Sequence, residues 1–195
     1  MLGGYLLARN QREKRILRFV VADTEDLAAA LREHGNFEIK FAHFSTTELI
    51  LSTITVRNAG NASIKDIEFS IKIPGEHPFA KINCASSNPA LASQVTVLPP
   101  VLGGADPVFS VALPFFNANE SFGIYALYSG KLSQCEVTCR LPDTTVQVYT
   151  LSELYRMNDR RRRWKNVLGA IVMAITVIVG ILIGKFAKDL TYPPI

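Results

Sequence analysis

The chain has 195 residues, 48% of them hydrophobic, and its 21 Lys and Arg against 17 Asp and Glu give a formal net charge of +4. Eleven of the basic residues fall in two short segments, 9–18 and 156–165, whereas residues 19–155 hold 8 basic and 14 acidic residues, a net charge of −6. An acidic body repels a polyanion, so this distribution argues against nucleic acid as a partner despite the basic pI.

The N-terminal segment, residues 1–15, begins with the apolar run MLGGYLLA and continues with the basic run NQREKR. Eight apolar residues cannot span a bilayer, which takes about 20. The segment is therefore expected to be membrane-proximal, lying in the headgroup region or packing beside another membrane helix. It also resembles the last turns of a spanning helix whose beginning is missing, and a frayed terminus is the remaining alternative.

Residues 16–150 carry short apolar or alternating runs between turn signals, which is typical of β-strands. In SIKDIEFSIKI, Ile64 and Ile67 break the alternation near Asp66. Eight to ten short strands at this spacing predict a mainly β fold, an antiparallel Ig-like β-sandwich. The predicted strands cover 16–22, 37–44, 48–58, 63–73, 80–85, 93–99, 107–115, 121–129, 135–141 and 145–150.

One segment of this body, DTEDLAAALREHG, departs from the β pattern. Thr24 or Asp23 can cap a helix there, Leu27 and Leu31 lie one turn apart, and Gly35 can end it. We expect one short helix that crosses an end of the sandwich.

The turn in TVRNAGNASIKDIEF is the most specific local feature of the body. Asn58 to Asn61 lie between two strong strands, and Asn and Gly tolerate positive φ, so the sequence predicts a hairpin. The run ITVRNAGNASIKDIEFSIKIP, followed by a proline-bounded loop and PVFSVALP, resembles bacterial Ig-like domains of the CARDB type over residues 48–130. The resemblance implies a non-catalytic β-sandwich module and no particular ligand.

Residues 151–165 are predicted to form a basic juxtamembrane helix. Thr150 and Glu153 fit a capping box, and no glycine or proline interrupts the following residues, although a break near Asn158 is an alternative. The basic side chains are expected to orient the chain and to contact anionic lipid headgroups. They are Arg156, Arg160, Arg161, Arg162, Arg163 and Lys165.

Residues 166–187 are predicted to be a single transmembrane helix, followed by a short tail, 188–195. About 20 apolar residues span a bilayer, and an uncharged stretch of nearly that length lies here. Six basic residues precede it and two follow, so the positive-inside rule places the sandwich in the cytoplasm, tail-anchored at a bacterial inner membrane. Thr176, Gly180 and Gly184 recur every four residues and form a groove for helix–helix contact.

The sequence offers no motif for catalysis, cofactor binding or metal binding, since GxSxG, HExxH, the P-loop and GxGxxG are all missing and the three histidines are scattered. Cys135 and Cys139 would lie about 13 Å apart on one strand, too far for a disulfide. Pairing of either with Cys84 is an alternative, but free buried thiols fit a reducing cytoplasm better. No enzyme, cofactor or metal site is therefore expected.

Two classes of function fit this organisation. In the first, the chain is a membrane-anchored, non-catalytic scaffold subunit whose sandwich binds a protein partner or a larger membrane complex at the bilayer surface. In the second, it is an effector that is triggered by a ligand or partner and acts by oligomerising its transmembrane helix. Only one polar residue, Thr176, interrupts the predicted span, which favours the scaffold.

Overall fold

The strands form where β-branched and aromatic residues alternate with polar ones, because one face of each strand then becomes apolar. The computed structural model of the chain describes residues 13–35, 38–40, 45–77, 79–100, 106–160, 162 and 164. Its strands are β1 Ile16–Val21, β2 Glu25–Asp26, β3 Ile39–Lys40, β4 Ser45–Thr46, β5 Ile50–Asn58, β6 Ile64–Lys72, β7 Ala80–Ala85, β8 Thr96–Leu98, β9 Val108–Phe116, β10 Ser121–Tyr128, β11 Glu136–Cys139 and β12 Thr145–Thr150. Its helices are α1 Ala29–Arg32, α2 Pro89–Ala92 and α3, residues 151–160, with residues 162 and 164 also helical.

Two sheets enclose the hydrophobic core. The larger sheet has the order β12-β1-β5-β10-β7, with β2 pairing to β5, and the smaller sheet has the order β11-β6-β9-β8. Strands β3 and β4 form a separate two-stranded sheet. The Phe19 ring of the larger sheet meets the Phe69 ring of the smaller sheet edge to face, with 5.0 Å between centroids. The side chains buried between the sheets include Leu17, Ile54, Val56, Ile67, Ile71, Val111, Leu113, Phe116, Ile124 and Tyr128.

The prediction of a mainly β sandwich is confirmed, but its strands are not all antiparallel. β1 pairs in parallel with β12, so that Leu17 faces Val146 and Phe19 faces Val148, while the other edge of β1 pairs antiparallel with β5. Parallel neighbours need a long connection, and here the connection is the rest of the sandwich. The sequence pattern of each strand alone gives no signal for this pairing.

The helix predicted over 24–34 is wrong in extent. Glu25–Asp26 pairs with β5 as β2, and only Ala29–Arg32 is helical. The Asp26 carboxylate explains this start, since it accepts a hydrogen bond from the Ala28 backbone N–H at 3.0 Å and also pairs with the Arg32 guanidinium.

A second short helix, α2, lies in the loop after β7 and was not expected. Asn88 caps it, because the side-chain oxygen of Asn88 accepts from the Ala90 N–H at 3.1 Å, and Pro89 occupies the first turn where no donor is needed. The strand predicted over 37–44 is described only at Ile39–Lys40, which pairs with Ser45–Thr46. Glu38 lies outside β3, and the remaining residues of the predicted strand, 37 and 41–44, lie outside the described ranges.

The predicted long C-terminal helix that becomes a transmembrane span is wrong for this structure. Among the described residues, no helix is long and apolar enough to cross a membrane. The helix that follows β12 has the sequence LSELYRMNDR over residues 151–160. Its four charged residues would be costly to place in the hydrocarbon core of a bilayer. The predicted span 166–187, the tail 188–195 and most of the segment 1–15 lie outside the described residues.

In the smaller sheet, the inward–outward alternation of the β6 side chains changes phase at Asp66. The predicted break in alternation is confirmed: Ile64 and Ile67 are both buried, and Asp66 between them has φ +51°. The partner strand β9 breaks at the same level, because Pro114 and Phe115 are both exposed there. Asp66 and Pro114 lie at the same level of the two strands, and the pairs on either side, Lys65 with Phe115 and Ile67 with Leu113, keep one register. Pro114 has no N–H to donate, so it suits the position at which the pairing is interrupted.

The turn between β5 and β6 lies where it was predicted, but it is not the predicted hairpin turn. β5 belongs to the larger sheet and β6 to the smaller, so the turn crosses between sheets and closes no hairpin. Gly60 does not adopt positive φ; instead, a Cβ at Gly60 would lie 2.0 Å from the carbonyl oxygen of Lys14. The glycine is therefore required by the close approach of the segment before β1.

Asn58 holds this turn from inside the core. Its side chain is fully buried, and its amide group donates to the carbonyl oxygens of Ala62 at 2.9 Å and Phe116 at 3.0 Å. Its side-chain oxygen accepts from the Gly60 N–H at 3.0 Å. The three bonds use both donors and the acceptor of the side chain, so the cost of burying it is offset.

Replacement of Asn58 by Ala should lower the free energy of unfolding by about 3 kcal/mol, because several buried backbone groups lose their partners at once. Gly60→Ala should be comparably destabilising through steric overlap. Urea unfolding of the full-length chain, monitored by far-UV circular dichroism, measures both effects. Asn83→Ala, at an exposed strand position, is the matched control and should change stability by less than ~0.5 kcal/mol. Equal unfolding midpoints for N58A and N83A would contradict this role for the turn.

Candidate interaction surface

The outer face of the larger sheet carries a row of polar side chains across four strands. Leu17 and Phe19 point into the core, so Arg18 between them points outward. The register places Arg18 directly opposite Arg57 of β5 and Gln147 of β12. Arg57 in turn lies opposite Ser121 of β10. We call these four residues, Ser121, Arg57, Arg18 and Gln147, the arginine row.

Arg18 is held in one orientation by its neighbours on β12. Its Nε and Nη2 donate to Gln147 Oε1 at 3.2 and 3.1 Å. Because a guanidinium only donates, the amide oxygen of Gln147 must face it. The centroid of the Tyr149 ring lies 5.8 Å from the Arg18 Cζ, at the distance of a cation–π contact. Arg18 is half-buried and therefore pre-organised.

Arg57 is exposed and, within the described part of the chain, forms no ion pair. Like charges directly opposite on neighbouring strands destabilise a sheet by roughly 0.2–1 kcal/mol. Carboxylates could have relieved this repulsion, since the body is acidic, but no described carboxylate forms an ion pair with Arg18 or Arg57. Glu25, on the same face, pairs with Leu51 of β5, six residues or about 20 Å along the strand from Arg57. The arginine row therefore presents uncompensated positive charge.

An aromatic ring lies flat on the same face, farther along β10. Tyr125 is 40% exposed, and a Cβ built on Gly123 would lie 3.2 Å from its hydroxyl oxygen and 3.3 Å from its Cε2. The missing side chain of Gly123 therefore lets the ring cover the strand. Thr53 and Asn83 flank Tyr125 on the neighbouring strands. The result is a face of mixed polarity on which the Tyr125 ring is accessible.

The site residues predicted from the sequence lie elsewhere. Arg156, Arg160 and Arg162 are described, on or next to α3, and the first two are exposed on the helix. The remaining predicted residues lie outside the described ones: Arg161, Arg163, Lys165, Thr176, Gly180 and Gly184.

Sequence reasoning missed the arginine row because it grouped Arg18 with the basic segment 9–18. That segment was expected to contact lipid, whereas Arg18 lies within the larger sheet as part of β1. The alternation in ILRFVV does predict an outward Arg18. Its meeting with Arg57 depends on strand pairing, which no local pattern reveals.

The histidines and acidic residues offer no described metal centre. No group of three or more His, Cys, Asp or Glu side chains gathers at a common point within the described ranges. His77 has a structural environment instead, with Nδ1 2.7 Å from the Ser129 carbonyl oxygen and Nε2 2.9 Å from that of Pro74. Its ring also packs on Tyr128 with 4.8 Å between centroids. His77 therefore links two loops.

A cleft of about 310 Å³ lies at one end of the sandwich. Arg15, Lys65, Asp66 and Asp143 contribute to its lining, so its charges are mixed. Asp66 and Asp143 both have positive φ, which Asp tolerates in turns. Ser63 and Thr144 also line the cleft, but no described hydrogen bond joins either hydroxyl to the carboxylate of Asp66 or Asp143, as the activation of a nucleophile by a base requires.

The three cysteines are free thiols, as predicted. Burial raises the pKa of Cys84 and of Cys139 to about 11, because the thiolate would lose its hydration. Burial also raises the pKa of Cys135, which lies in the core cluster. The thiols therefore act as small apolar side chains and not as nucleophiles.

This environment predicts slow alkylation of the folded chain. With a pKa of about 11, the thiolate fraction at pH 8 is roughly 100-fold below that of an ordinary thiol. Labelling by iodoacetamide, followed by mass spectrometry, should be roughly 100-fold slower in the folded chain than in urea. The rate should rise with pH up to about 11. Rapid labelling of Cys84 at pH 8 without denaturant would contradict the burial described.

Comparisons with known proteins give distant structural neighbours. No protein-family model matches the chain, and no curated protein matches it. A CBM3 module of Hungateiclostridium clariflavum is similar over 60% of this chain and 72% of its own, with 13% identity and a TM-score of 0.33. The CBM3b module of the scaffoldin ScaA from Acetivibrio cellulolyticus is similar over 45% of this chain and 64% of its own, with 17% identity and a TM-score of 0.27.

A third neighbour is a GH20 exo-β-N-acetylglucosaminidase from Vibrio harveyi. It is similar over 69% of this chain but only 18% of its own, with 10% identity and a TM-score of 0.30. These likenesses do not extend beyond a β-sandwich architecture and say nothing about what this chain binds.

Proposed function

We propose that this chain is a non-catalytic interaction subunit whose sandwich binds an acidic segment of a partner protein through the arginine row. The observation that carries this proposal is the uncompensated pair Arg18 and Arg57, side by side on a rigid sheet in an otherwise acidic body. Two arginines that face each other without a carboxylate destabilise the sheet by their repulsion. A bound anion removes this repulsion and accepts charge-assisted hydrogen bonds from both side chains, which favours binding.

The arrangement suits carboxylates on an extended peptide. Directly opposite residues of an antiparallel pair have Cα atoms roughly 4.5–5.5 Å apart, and alternate residues of an extended strand repeat at about 6.6 Å. Arg18 and Arg57 can therefore each take one carboxylate from residues two apart. Gln147 and Tyr149 already immobilise Arg18, so little side-chain entropy is lost on binding.

The exposed ring of Tyr125 supplies a second kind of contact. It lies four residues along β10 from Ser121 of the arginine row, about 13 Å away. A partner segment that reaches both points needs acidic residues followed by an apolar or aromatic one. A nucleic acid fits less well, because it carries a negative charge at every nucleotide and the acidic body repels those charges, whereas a peptide can place only two carboxylates on the arginines.

The resemblance of residues 48–130 to CARDB-type domains supports the same proposal, because those domains are non-catalytic modules. The location at the cytoplasmic side of an inner membrane stays a prediction from the basic residues 156–165 and their expected lipid contacts. The alternative of a membrane effector depends on Thr176, Gly180 and Gly184, which lie outside the described residues.

The binding test uses a fluorescent synthetic peptide with Glu at alternate positions and a terminal Phe. Fluorescence anisotropy with the full-length chain should show saturable binding that weakens as salt rises. Arg57→Gln should weaken binding by roughly 10-fold, because one charge-assisted contact is lost. Arg140→Gln removes the same charge at an exposed position just beyond β11 of the smaller sheet and is the matched control.

Two outcomes would oppose the proposal. Equal affinities for R57Q and R140Q would mean that only net charge matters and that the arginine row is not the site. Tight binding of a single-stranded oligonucleotide that also depends on Arg57 would point to nucleic acid as the partner instead.

A further inference from the structure

We propose that the outer edge of β12 pairs antiparallel with the same strand of a second copy of this chain, giving a continuous sheet across a two-fold axis. Within the described residues, no strand pairs with this edge, because β12 ends the strand order of the larger sheet. An unpaired edge presents free N–H and C=O groups, which proteins normally protect. The other sheet edges show such protection, and β12 does not.

The four terminal strands of the two main sheets differ in length and charge, and β2, β3 and β4 have only two residues each. β8 has only three residues and β11 only four, including the exposed Glu136. β7 carries the exposed Lys81. β12 has six residues, TVQVYT, with no charge, no proline and no glycine. Short strands and charges discourage edge pairing, whereas a long uncharged strand rich in β-branched residues favours it.

The hydrogen bonds identify which backbone groups of β12 are available. The Thr145 N–H donates to the Arg15 carbonyl oxygen at 2.9 Å, so Thr145 faces β1. Backbone direction alternates along a strand, so Gln147 and Tyr149 also face β1, and Val146 and Val148 face outward. Thr150 has the same direction but makes an interaction of its own, so the outward groups that the pairing uses are those of Val146 and Val148.

This arrangement is complementary to itself. In an antiparallel pair about a two-fold axis at Gln147, Val146 faces the partner's Val148 and Val148 faces the partner's Val146. Each of these pairs exchanges both backbone hydrogen bonds. A strand with a charge or a proline here would not match its own copy, but an uncharged strand does. This self-match is why the inferred occupant is a second copy and not an unrelated strand.

The side chains agree with the backbone. Val148 lies opposite the buried Phe19 and hence on the core side of the sheet, yet it is 46% exposed at the edge. The two-fold pairing packs it against the partner's Val146 and removes this apolar surface from water.

The pairing also doubles the arginine row, a consequence that rests on the proposed function. Both rows lie on the same face, because a two-fold axis perpendicular to a sheet keeps its faces. Arg18 and the partner's Arg18 are then three strand spacings apart, about 14 Å. This exceeds the Debye length of about 8 Å at physiological ionic strength, so their repulsion is screened. A dimer would therefore bind a long acidic segment along one continuous row.

Disulfide trapping tests the two-fold axis directly. In the paired edge, Gln147 forms a non-hydrogen-bonded pair with its own copy, with Cα atoms about 4.5 Å apart, which suits a disulfide. Gln147→Cys in the full-length chain should give a covalent dimer under mild oxidation. Thr145→Cys lies on the same strand and face but opposite the partner's Tyr149, and should give at least about 10-fold less dimer. The wild-type chain controls for its three partly or fully buried cysteines.

A second variant removes the edge donor without touching the fold. The Val148 N–H points outward, so Val148→Pro leaves the ladder with β1 intact, as proline does on edge strands. Each copy loses one backbone hydrogen bond across the axis, so dimerisation should weaken by roughly 30-fold in sedimentation equilibrium. Val148→Thr keeps the donor and the shape and should remain dimeric. Circular dichroism of both variants controls for folding.

The outcomes separate this inference from the proposed function. A wild-type chain that stays monomeric, with Q147C and T145C trapped equally poorly, would overturn the edge pairing while leaving the acidic peptide free to bind. Dimerisation that V148P does not affect would place the contact elsewhere and would also overturn it. Loss of the dimer in V148P, with peptide binding that still depends on Arg57, would support both.

Discussion

Asn58 fixes the end of the sandwich at which three parts of the chain meet. Its side chain bonds the turn after β5 and the end of β9, and its backbone N–H and C=O bond Glu120 and Asn119 before β10. Gly60 then allows the segment before β1 to pass against the turn. Strand β1 starts from this junction, and the position of β12 follows from β1. The outward register of Arg18 and Gln147 therefore depends on one fully bonded buried amide.

The surface and the fold are linked through that register. Alternation on β1 places Phe19 in the core and Arg18 outside, so any shift of one residue would bury the arginine and expose the phenylalanine. Burial of Phe19 in the hydrophobic core therefore fixes the outward position of Arg18 more strongly than the side-chain hydrogen bonds of the arginine row do. This explains how a sheet tolerates two facing arginines, since their repulsion is small against the burial of Phe19.

The strands could be predicted where the signal is local. ITVRN and SIKDIEF alternate clearly, and the break at Asp66 was visible in the spacing of Ile64 and Ile67. The parallel partner of β1, the use of Gly60 for close approach and the pairing of Arg18 with Arg57 were not predictable, because each arises from residues far apart in sequence. The long apolar helix was inferred from the length of an uncharged run and the basic residues beside it, whereas the described helix α3 carries Glu153, Arg156, Asp159 and Arg160.

The side-by-side position of β1 and β12 has a consequence for biosynthesis. The hydrogen bond between Arg18 and Gln147 joins residues 129 positions apart, so the larger sheet is completed by a contact of very long range. Such contacts slow folding, since the chain must close a large loop before the contact forms. On the ribosome, β1 emerges early and must wait with one edge bare until the last strand of the sandwich leaves the exit tunnel. During that interval the unpaired edge of β1 is open to mispairing, as are the unpaired strand edges of incompletely folded chains in general.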